Sequence, residues 1–370
     1  MQYRFDQIAF NSTAKKKPTE DDKERYIGLE HLDSDCLSIT KWGSEVAPTG
    51  EKLLMKKGDI LFGKRRAYQR KVGIAPFDGI FSAHGMVLRP NEEIIYKDFF
   101  PFFISSDQFM ERAVRISVGG LSPTINWKDL REQEFDLPPL AEQRVLADKL
   151  WTAYRLKESY KKLLAATDEM VKSQFIEMYH STHNKQTLES VCYVMCKGIT
   201  PKYVDSSSVI VINQACVHWD AQRLENVKFH NENVPVKKRK LETGDVLLNA
   251  TGNGTLGRCC VFSCPSDDNS YINDGHVIAL VTDRSVLLPE VLCSYLSLKD
   301  TQDEIYRQYV TGSTNQVDIV FTDIKKMEIP VPNMNDQQQF VSILKQADKS
   351  KLTGHCLICV LNKGISKLIN

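Results

Sequence analysis

The sequence contains a long internal repeat, in which motifs of the first half return in the same order in the second half. The matching segments lie 186 to 194 positions apart, far more than the roughly 20–50 residues of a solenoid unit. The offset drifts as expected when loops inside two copies of one domain gain or lose residues. The repeat therefore predicts two related, unequal domains. The matching pairs are Lys57–Phe62 with Thr243–Leu248, Ala83–Val87 with Asn273–Val277, Asp129–Pro139 with Asp323–Asn333, and Glu142–Gln143 with Asp336–Gln337.

Composition is consistent with two domains in a globular chain. The 370 residues are 42% hydrophobic and 26% charged, with a net charge of +1, so any site for a polyanion must be local. Apolar runs are too short to span a membrane, and the N-terminus lacks a signal-peptide pattern. We therefore expect a cytoplasmic chain without a membrane segment. The ten cysteines are then reduced thiols, and because none form paired C-x-x-C sets, no metal site is predicted.

Stretches with the residue pattern of β-strands alternate along the sequence with stretches of helix formers, which predicts a mixed α/β class. Glycines and prolines punctuate short β-branched and aromatic runs in the first part, whereas helix formers without Gly or Pro follow Ala141. Within the first globular part, Lys97–Val114 is expected to be helical. The predicted boundaries are 1–140 for globular domain 1, 141–180 for a long helix, 186–333 for globular domain 2 and 336–370 for a second long helix.

The two helical stretches share one apolar register with alternating four- and three-residue steps, which is typical of a coiled-coil seam. Lys157 and Lys351 occupy the same step, and Gly354 weakens the second helix by about 1 kcal/mol relative to Ala. Antiparallel pairing of these helices would give a dumbbell; the alternative is two separate amphipathic surface helices. The seam residues are Leu146, Leu150, Ala153, Tyr160, Leu164 and Val171 in the first helix, and Phe340, Leu344, Ala347, Ile358, Leu361 and Ile365 in the second.

Motifs for catalysis are weak. Gly252–Gly257 matches G-x-G-x-x-G, but a dinucleotide fold needs a helix to begin there, and the following residues Arg258–Pro265 are typical of a strand and a turn. The sequence has no P-loop, H-E-x-x-H or G-x-S-x-G motif. No nucleophile can be assigned to His84, whose partner in the motif alignment is Asp274. We therefore expect no catalytic residues in this chain.

Binding motifs are stronger and lie at equivalent places in the two copies. The run after Gly63 combines five basic residues with an aromatic and an amide, side chains that neutralise phosphates and reach base edges. The alternative is a solvated hairpin tip. The equivalent loop of copy two is rich in Asn, Thr and Gly, which suggests two readers of different sequences. The candidate DNA contacts are Lys64, Arg65, Arg66, Tyr68, Gln69, Arg70, Lys71, His84, Asn253, Thr255, Arg258 and His276.

Together these features resemble the specificity subunit of type I restriction–modification systems. The resemblance rests on Gly58–Lys71, on Leu137–Arg144 with its prolines followed by Glu-Gln at the start of a helix, and on Ala250–Arg258. It covers nearly the whole chain in family order: recognition domain, helix, recognition domain, helix.

The resemblance implies that each globular domain is a target-recognition domain for one half of a split, asymmetric double-stranded DNA site. The helices would set the unread spacer and dock modification (methyltransferase) subunits, and a restriction/translocase subunit would join them. S-adenosylmethionine, ATP and Mg²⁺ would belong to those partners, leaving this chain non-catalytic and without a cofactor. Two alternatives stay open, a stand-alone DNA-binding regulator and a nucleotide-dependent enzyme using Gly252–Gly257.

Overall fold

The computed structural model describes residues 1–219, 221–313 and 316–369, and its contacts divide the chain into two compact units. Unit 1 is Met1–Leu163 together with the chain from Thr353 onward, and unit 2 is Leu164–Leu352. Each unit combines a β-rich globular part with one stretch of each of two long helices. The predicted class, mixed α/β with two globular domains and a long helix pair, is confirmed.

The first copy of the repeat contains ten short strands and precedes the first long helix. Its elements are β1 (Gln2–Arg4), α1 (Phe5–Ile8), β2 (Ala9–Ser12), β3 (Lys15–Lys16), β4 (Tyr26–Ile27), β5 (Lys52–Met55), β6 (Ile60–Phe62), β7 (Val72–Ile74), β8 (Gly79–Phe81), β9 (Met86–Pro90), α2 (Phe100–Ser105), α3 (Asp107–Arg115), α4 (Trp127–Leu130), β10 (Glu134–Asp136) and α5 (Leu140–His180).

The second copy follows the same plan with an added hairpin before its last short helix. Its elements are β11 (Lys185–Thr187), β12 (Cys192–Lys197), β13 (Tyr203–Val204), β14 (Val209–Ile212), β15 (Lys228–His230), β16 (Val246–Asn249), β17 (Cys259–Val261), β18 (Ser270–Asn273), β19 (Val277–Thr282), α6 (Pro289–Leu296), α7 (Lys299–Gln308), β20 (Val310–Ser313), β21 (Gln316–Ile319), α8 (Phe321–Ile324), β22 (Glu328–Pro330) and α9 (Met334–Ile369).

One antiparallel sheet is the same in both copies. Its strand order is β2-β9-β6-β7 in unit 1 and β12-β19-β16-β17 in unit 2. The second four-stranded sheet is only partly shared. A parallel pair is common to both, β4 with β8 and β14 with β18. However, β5 pairs with β8 in unit 1, whereas β15 pairs with β14 in unit 2. The antiparallel sheet is therefore the structural element that the two copies of the repeat share in full.

The repeated Gly-Asp motif forms the same turn in both copies. Gly58 and Gly244 have φ of 90° and 95°, a left-handed conformation that only glycine adopts without strain. The following aspartate accepts a hydrogen bond from the backbone N–H three residues earlier, at 2.8 Å for Asp59 and 2.9 Å for Asp245. Each aspartate also pairs with an arginine, Arg89 in the first case. The motif therefore forms the turn that starts a strand, and its carboxylate is already bonded to the backbone and to an arginine.

The repeated Glu-Gln motif ties each long helix to its own globular part. Gln143 is buried; its Nε2 donates to the carbonyls of Ile94 and Pro138 at 3.0 and 2.8 Å, and its Oε1 accepts from Tyr96 N–H at 2.7 Å. The amide of Gln337 makes the equivalent three bonds, to the carbonyls of Val286 and Pro332 and from Leu288 N–H, at 2.9, 2.8 and 2.8 Å. These bonds explain why glutamine occupies the equivalent position at the start of both long helices.

The predicted helix seam is found in both units. Every predicted seam position is buried or half-buried, whereas most other positions of α5 and α9 are exposed. In unit 2 the pairing is antiparallel, because Asp168 contacts Lys351 at 2.7 Å while the rings of Phe175 and Phe340 lie 5.1 Å apart. In unit 1, Ile365 packs against the core that includes α5. The helix α9 is continuous through position 354, so its glycine does not interrupt it.

The prediction of one helix over Lys97–Val114 is wrong in detail. Two helices, α2 and α3, occupy this stretch, and Ser106 between them has an extended backbone with ψ of 154°. Its Oγ accepts a hydrogen bond from Phe109 N–H at 3.1 Å, so the serine caps α3. The break lets Phe109 turn into an aromatic core, 5.3 Å from Phe5 and 5.6 Å from Phe135 between ring centroids.

Candidate nucleic-acid interface

Three segments of each unit meet at one end of the shared antiparallel sheet. In unit 1, Phe62 at the end of β6 pairs with Met86 at the start of β9. This register places the loop after β6 beside the turn before β9. In unit 2, Asn249 pairs with Val277 in the same way. The predicted DNA contacts in the loop 64–71 and His84 therefore share one sheet end, and those in the loop 253–258 and His276 share the equivalent end of unit 2.

The third segment was not identified from the sequence. In unit 1 it is Ser117–Thr124, held by hydrogen bonds from Arg66 N–H to Pro123 O at 2.7 Å and from Ile125 N–H to Lys64 O at 2.9 Å.

In unit 2 the equivalent segment is the β20–β21 hairpin. Gly252 N–H donates to Val317 O at 3.4 Å and Ile319 N–H to Ala250 O at 2.8 Å. These four residues follow the repeat offsets seen in the neighbouring motifs. Carrying the offset of 194 between Asp129 and Asp323 a few residues toward the N-terminus would have found this segment.

The tip of the basic loop in unit 1 is open to solvent. Arg65 is exposed and forms no ion pair within the described ranges, and Tyr68 is 56% exposed. Arg66 has a left-handed backbone with φ of 56°, and its Nε donates to Ser122 Oγ at 3.3 Å. Lys64 is half-buried; burial, and then the charge of Lys15, lowers its pKa. These side chains can face a phosphate backbone, and Gln69 is half-buried beside them.

The last two basic residues of the loop are engaged within unit 1. The guanidinium of Arg70 contacts Asp35 and Asp107, each at 2.8 Å, and Ser105 O at 2.7 Å. The Nζ of Lys71 donates to Leu29 O at 2.7 Å. These contacts hold the base of the loop, so the structure favours a positioning role for both residues. DNA contact by Arg70 or Lys71 stays a prediction.

The alignment that paired His84 with Asp274 is wrong. In the structure His84 N–H donates to the side chain of Ser82 at 3.3 Å, and His276 N–H donates to that of Asp274 at 2.9 Å. The two histidines therefore occupy the same position of the same turn, and Asp274 is the counterpart of Ser82. The sequence alignment matched glycine to glycine, Gly85 to Gly275, whereas the sheet register shifts the turn by two residues. Both histidine side chains are exposed.

Asp274 is buried beneath this turn, and burial raises the pKa of its carboxyl group above the usual value. Hydrogen bonds from the backbone of His276 and Val277 act in the opposite direction. A serine at the equivalent place in unit 1 has no charge to bury. The two turns thus share a shape and differ in electrostatics.

The loop after β16 has a polar surface without the basic run. Thr255 Oγ1 donates to Thr251 O at 3.0 Å, and Thr251 Oγ1 lies 2.9 Å from His276 Nδ1. Asn253 is exposed at the tip, and Arg258 at the base is half-buried. This loop and the turn that carries His276 therefore form one connected surface.

Two further polar residues that the sequence patterns did not identify lie against this surface. The Nζ of Lys197, the last residue of β12, contacts Asp318 on β21 at 2.8 Å. The side chain of Gln214 approaches Thr251 at 3.3 Å. Neither residue belongs to a recurring motif, so only the fold brings them to the loop.

The glycine-rich motif does not begin a dinucleotide site. Gly252, Gly254 and Gly257 have φ of 98°, 79° and 83°, and the chain then enters strand β17 instead of a helix. The motif is a tight turn closed by hydrogen bonds from Gly257 N–H to Asn249 O and from Asn249 N–H to Arg258 O, at 2.9 and 2.8 Å. A pyrophosphate would meet no helix N-terminus here. The nucleotide-dependent alternative is therefore unsupported by the geometry.

The described part of the chain contains neither a metal-binding cluster nor a membrane-spanning helix. No group of three or more His, Cys, Asp or Glu side chains in residues 1–219, 221–313 and 316–369 could hold a metal ion. Over the same ranges, no helix has the length and apolarity needed to cross a membrane.

Comparison with known proteins identifies relatives for nearly the whole chain. The sequence profile of the type I restriction modification DNA specificity domain matches residues 8–166 and 221–356. The specificity subunit of the type I restriction enzyme EcoKI, from Escherichia coli K12, is 23% identical over 339 residues, which cover 84% of this chain and 70% of the relative. The StySPI specificity subunit of Salmonella potsdam matches with the same identity and coverage.

Solved structures share the fold over the full length. The S subunit of a type I restriction–modification system from M. genitalium matches with a TM-score of 0.60 and 14% identity, covering 100% of this chain and 96% of the other. A chain from a study of assembly and conformational transition in the type I system matches with a TM-score of 0.59 and 16% identity, with the same coverage. At these identities the likeness establishes a common fold.

Proposed function

Because this chain belongs to the type I restriction–modification DNA specificity family, its function is recognition of a DNA target, and we propose that each unit reads one half of a split, asymmetric site. One observation carries this proposal. The same sheet end and the same pair of backbone hydrogen bonds present a basic loop in unit 1 and an Asn/Thr/Gly-rich loop in unit 2. One scaffold with two surface chemistries fits two different half-sites.

The contacts of the basic loop support a division of labour among its residues. Arg65 and Tyr68 project from the loop, whereas Arg70 and Lys71 are bonded to the domain. A loop fixed at its base and charged at its tip needs less ordering of its backbone when it meets DNA. In unit 2 the corresponding contacts would come from Asn253, Thr255, Arg258 and His276.

We further propose that the chain acts inside a larger complex. Specificity subunits are recognition components, and adenine methyltransferase and endonuclease activities would belong to modification and restriction/translocase subunits, together with S-adenosylmethionine, ATP and Mg²⁺. The paired helices α5 and α9 offer the docking surface and would set the spacer between half-sites. Exposed apolar side chains on them support this assignment, including Val145, Leu156, Leu163 and Leu352.

The direct test replaces Arg65 with Ala and measures affinity for a target duplex at several salt concentrations. Each lost phosphate contact should lower the slope of log K against log salt by about 0.9, with affinity falling most at low salt. The matched control is Arg4→Ala, which also removes one exposed arginine, but one already paired with Asp6 at 2.5 Å. Its slope should not change.

An unchanged slope and affinity for Arg65→Ala would contradict the assignment of this loop to DNA. A loss confined to sequences that carry one particular base would instead show that Arg65 contacts a base edge. That result also supports the proposal, because a bidentate arginine–guanine contact contributes about 1–3 kcal/mol of discrimination.

A further inference from the structure

Unit 1 contains a cavity of about 470 Å³ between the first half of α5 and the last turns of α9. Lys157 lines it and is only 6% exposed. Its Nζ lies 5.0 Å from the centroid of the Tyr154 ring, and within the described ranges this ammonium has no ion pair or hydrogen bond. A buried cation is costly unless a counterion or hydrogen bonds replace its hydration shell.

The other charged side chains of the cavity already have partners. Arg70 contacts Asp35 and Asp107, each at 2.8 Å. Lys161 contacts Glu158 at 2.9 Å. Asp35 and Asp107 thus share one guanidinium, and neither forms an ion pair with Lys157, although the charge of Asp35 acts on its ammonium from a distance.

The repeat shows which group is missing. Lys157 corresponds to Lys351 in the helix seam, and in unit 2 the Nζ of Lys351 contacts Asp168 at 2.7 Å. The same offset of 194 places Asn362 at the position of Asp168. Asn362 lines the cavity together with Lys157. Unit 1 thus has the lysine of the repeated ion pair and an amide where unit 2 has the carboxylate.

We propose that this cavity binds a carboxylate group, with Lys157 as its counterion and the Asn362 amide as a hydrogen-bond donor. The carboxylate takes the place that Asp168 fills in unit 2. It comes either from a small free acid or from an acidic side chain of a protein docked on α5 and α9. The proposal does not depend on DNA recognition and is tested without DNA.

The first test is a pair of reciprocal substitutions in the full chain. Asn362→Asp supplies the missing carboxylate and should raise the thermal unfolding midpoint of unit 1 by about 2–4 °C. Asp168→Asn is the matched control and should lower the midpoint of unit 2, by less, because Lys351 is more exposed than Lys157. Tryptophan fluorescence follows mainly unit 1, which holds Trp42, Trp127 and Trp151 of the four tryptophans; hydrogen exchange follows both.

The second test identifies the source of the carboxylate. Sodium acetate, compared with sodium chloride at equal ionic strength, should raise the midpoint of the wild-type chain and leave Asn362→Asp and Lys157→Met unchanged if a free acid binds. Lys157→Met removes the charge and largely keeps the packing. It therefore separates the loss of the counterion from a general unfolding of the site. If a partner supplies the carboxylate, acetate has no effect and Asn362→Asp binds a modification subunit at least about tenfold more weakly, a loss of about 1.4 kcal/mol.

Two results would overturn the proposal. One is an Asn362→Asp chain no more stable than the wild type. The other is a stabilised Asn362→Asp chain when neither acetate nor a modification subunit distinguishes it from the wild type, because the cavity would then have no use for a carboxylate ligand.

Discussion

The buried glutamines Gln143 and Gln337 give a sharp test of how each long helix is attached. Each side-chain amide makes three hydrogen bonds, and all three partners are backbone groups of loops outside the helix. Both side chains are essentially inaccessible, at 1% and 0% exposure. Methionine has a similar length and no hydrogen-bonding amide, so Gln143→Met and Gln337→Met remove the bonds while largely filling the space.

The magnitude follows from the groups left behind. Each substitution strands one N–H and two C=O groups in a site that water does not reach, and an unsatisfied buried group costs about 1–3 kcal/mol. We therefore expect the free energy of unfolding of unit 1 to fall by about 3 kcal/mol or more in Gln143→Met. Gln337→Met should have the same effect on unit 2.

Urea denaturation followed by hydrogen exchange measures this loss separately for the two units. The control is Gln339→Met on the exposed face of α9, where surface substitutions change stability by about 0.5 kcal/mol or less. A loss below about 1 kcal/mol for either buried glutamine would refute the reasoning. So would a loss that appears in the unit without the substitution.

Two further predictions concern titration and thiol chemistry. Burial raises the pKa of Asp274 in the folded chain, so the wild type loses stability as pH rises from the unfolded value of about 3.9 through the folded value. The Asp274→Asn variant lacks this ionisation and has no such loss; urea titrations of the two chains should therefore diverge toward neutral pH, and a pH-independent difference would contradict the assignment. Burial also raises the pKa of Cys192 to about 12, whereas Cys356 and Cys359 are exposed. Iodoacetamide at pH 8 should label that pair first, as mass spectrometry can show, and early labelling of Cys192 would argue against its burial.

Two kinds of feature were predictable from the sequence: the elements that recur in both copies, and the helix seam, which has a regular spacing. The seam positions between Leu146 and Ile365 followed from helical spacing, because apolar residues at four- and three-residue steps lie on one face of a helix. The spacing did not decide whether the two helices pair or pack separately. The two Glu-Gln motifs marked helix starts without showing why glutamine was needed. That reason depends on loop carbonyls such as Ile94 O and Val286 O, which reach the helix only in the folded chain.

Register and non-local pairing were not predictable from local pattern. Gly85 and Gly275 are identical residues in similar strings, yet the strand register equates His84 with His276 instead. The different pairing of β5 and β15 in the second sheet has no local signature either. Likewise, Arg70 is bonded to residues at positions 35, 105 and 107. These partners are distant in sequence, so the sequence could not show that Arg70 is engaged within the domain.

The central claim, one half-site for each unit, is tested most directly by selecting bound sequences from random double-stranded DNA with the full chain in its native complex. Wild type should yield two specified blocks separated by unspecified positions. Arg65→Ala should alter at most one block, and His276→Ala at most the other. A single continuous block, or variants that each change both blocks, would contradict this account.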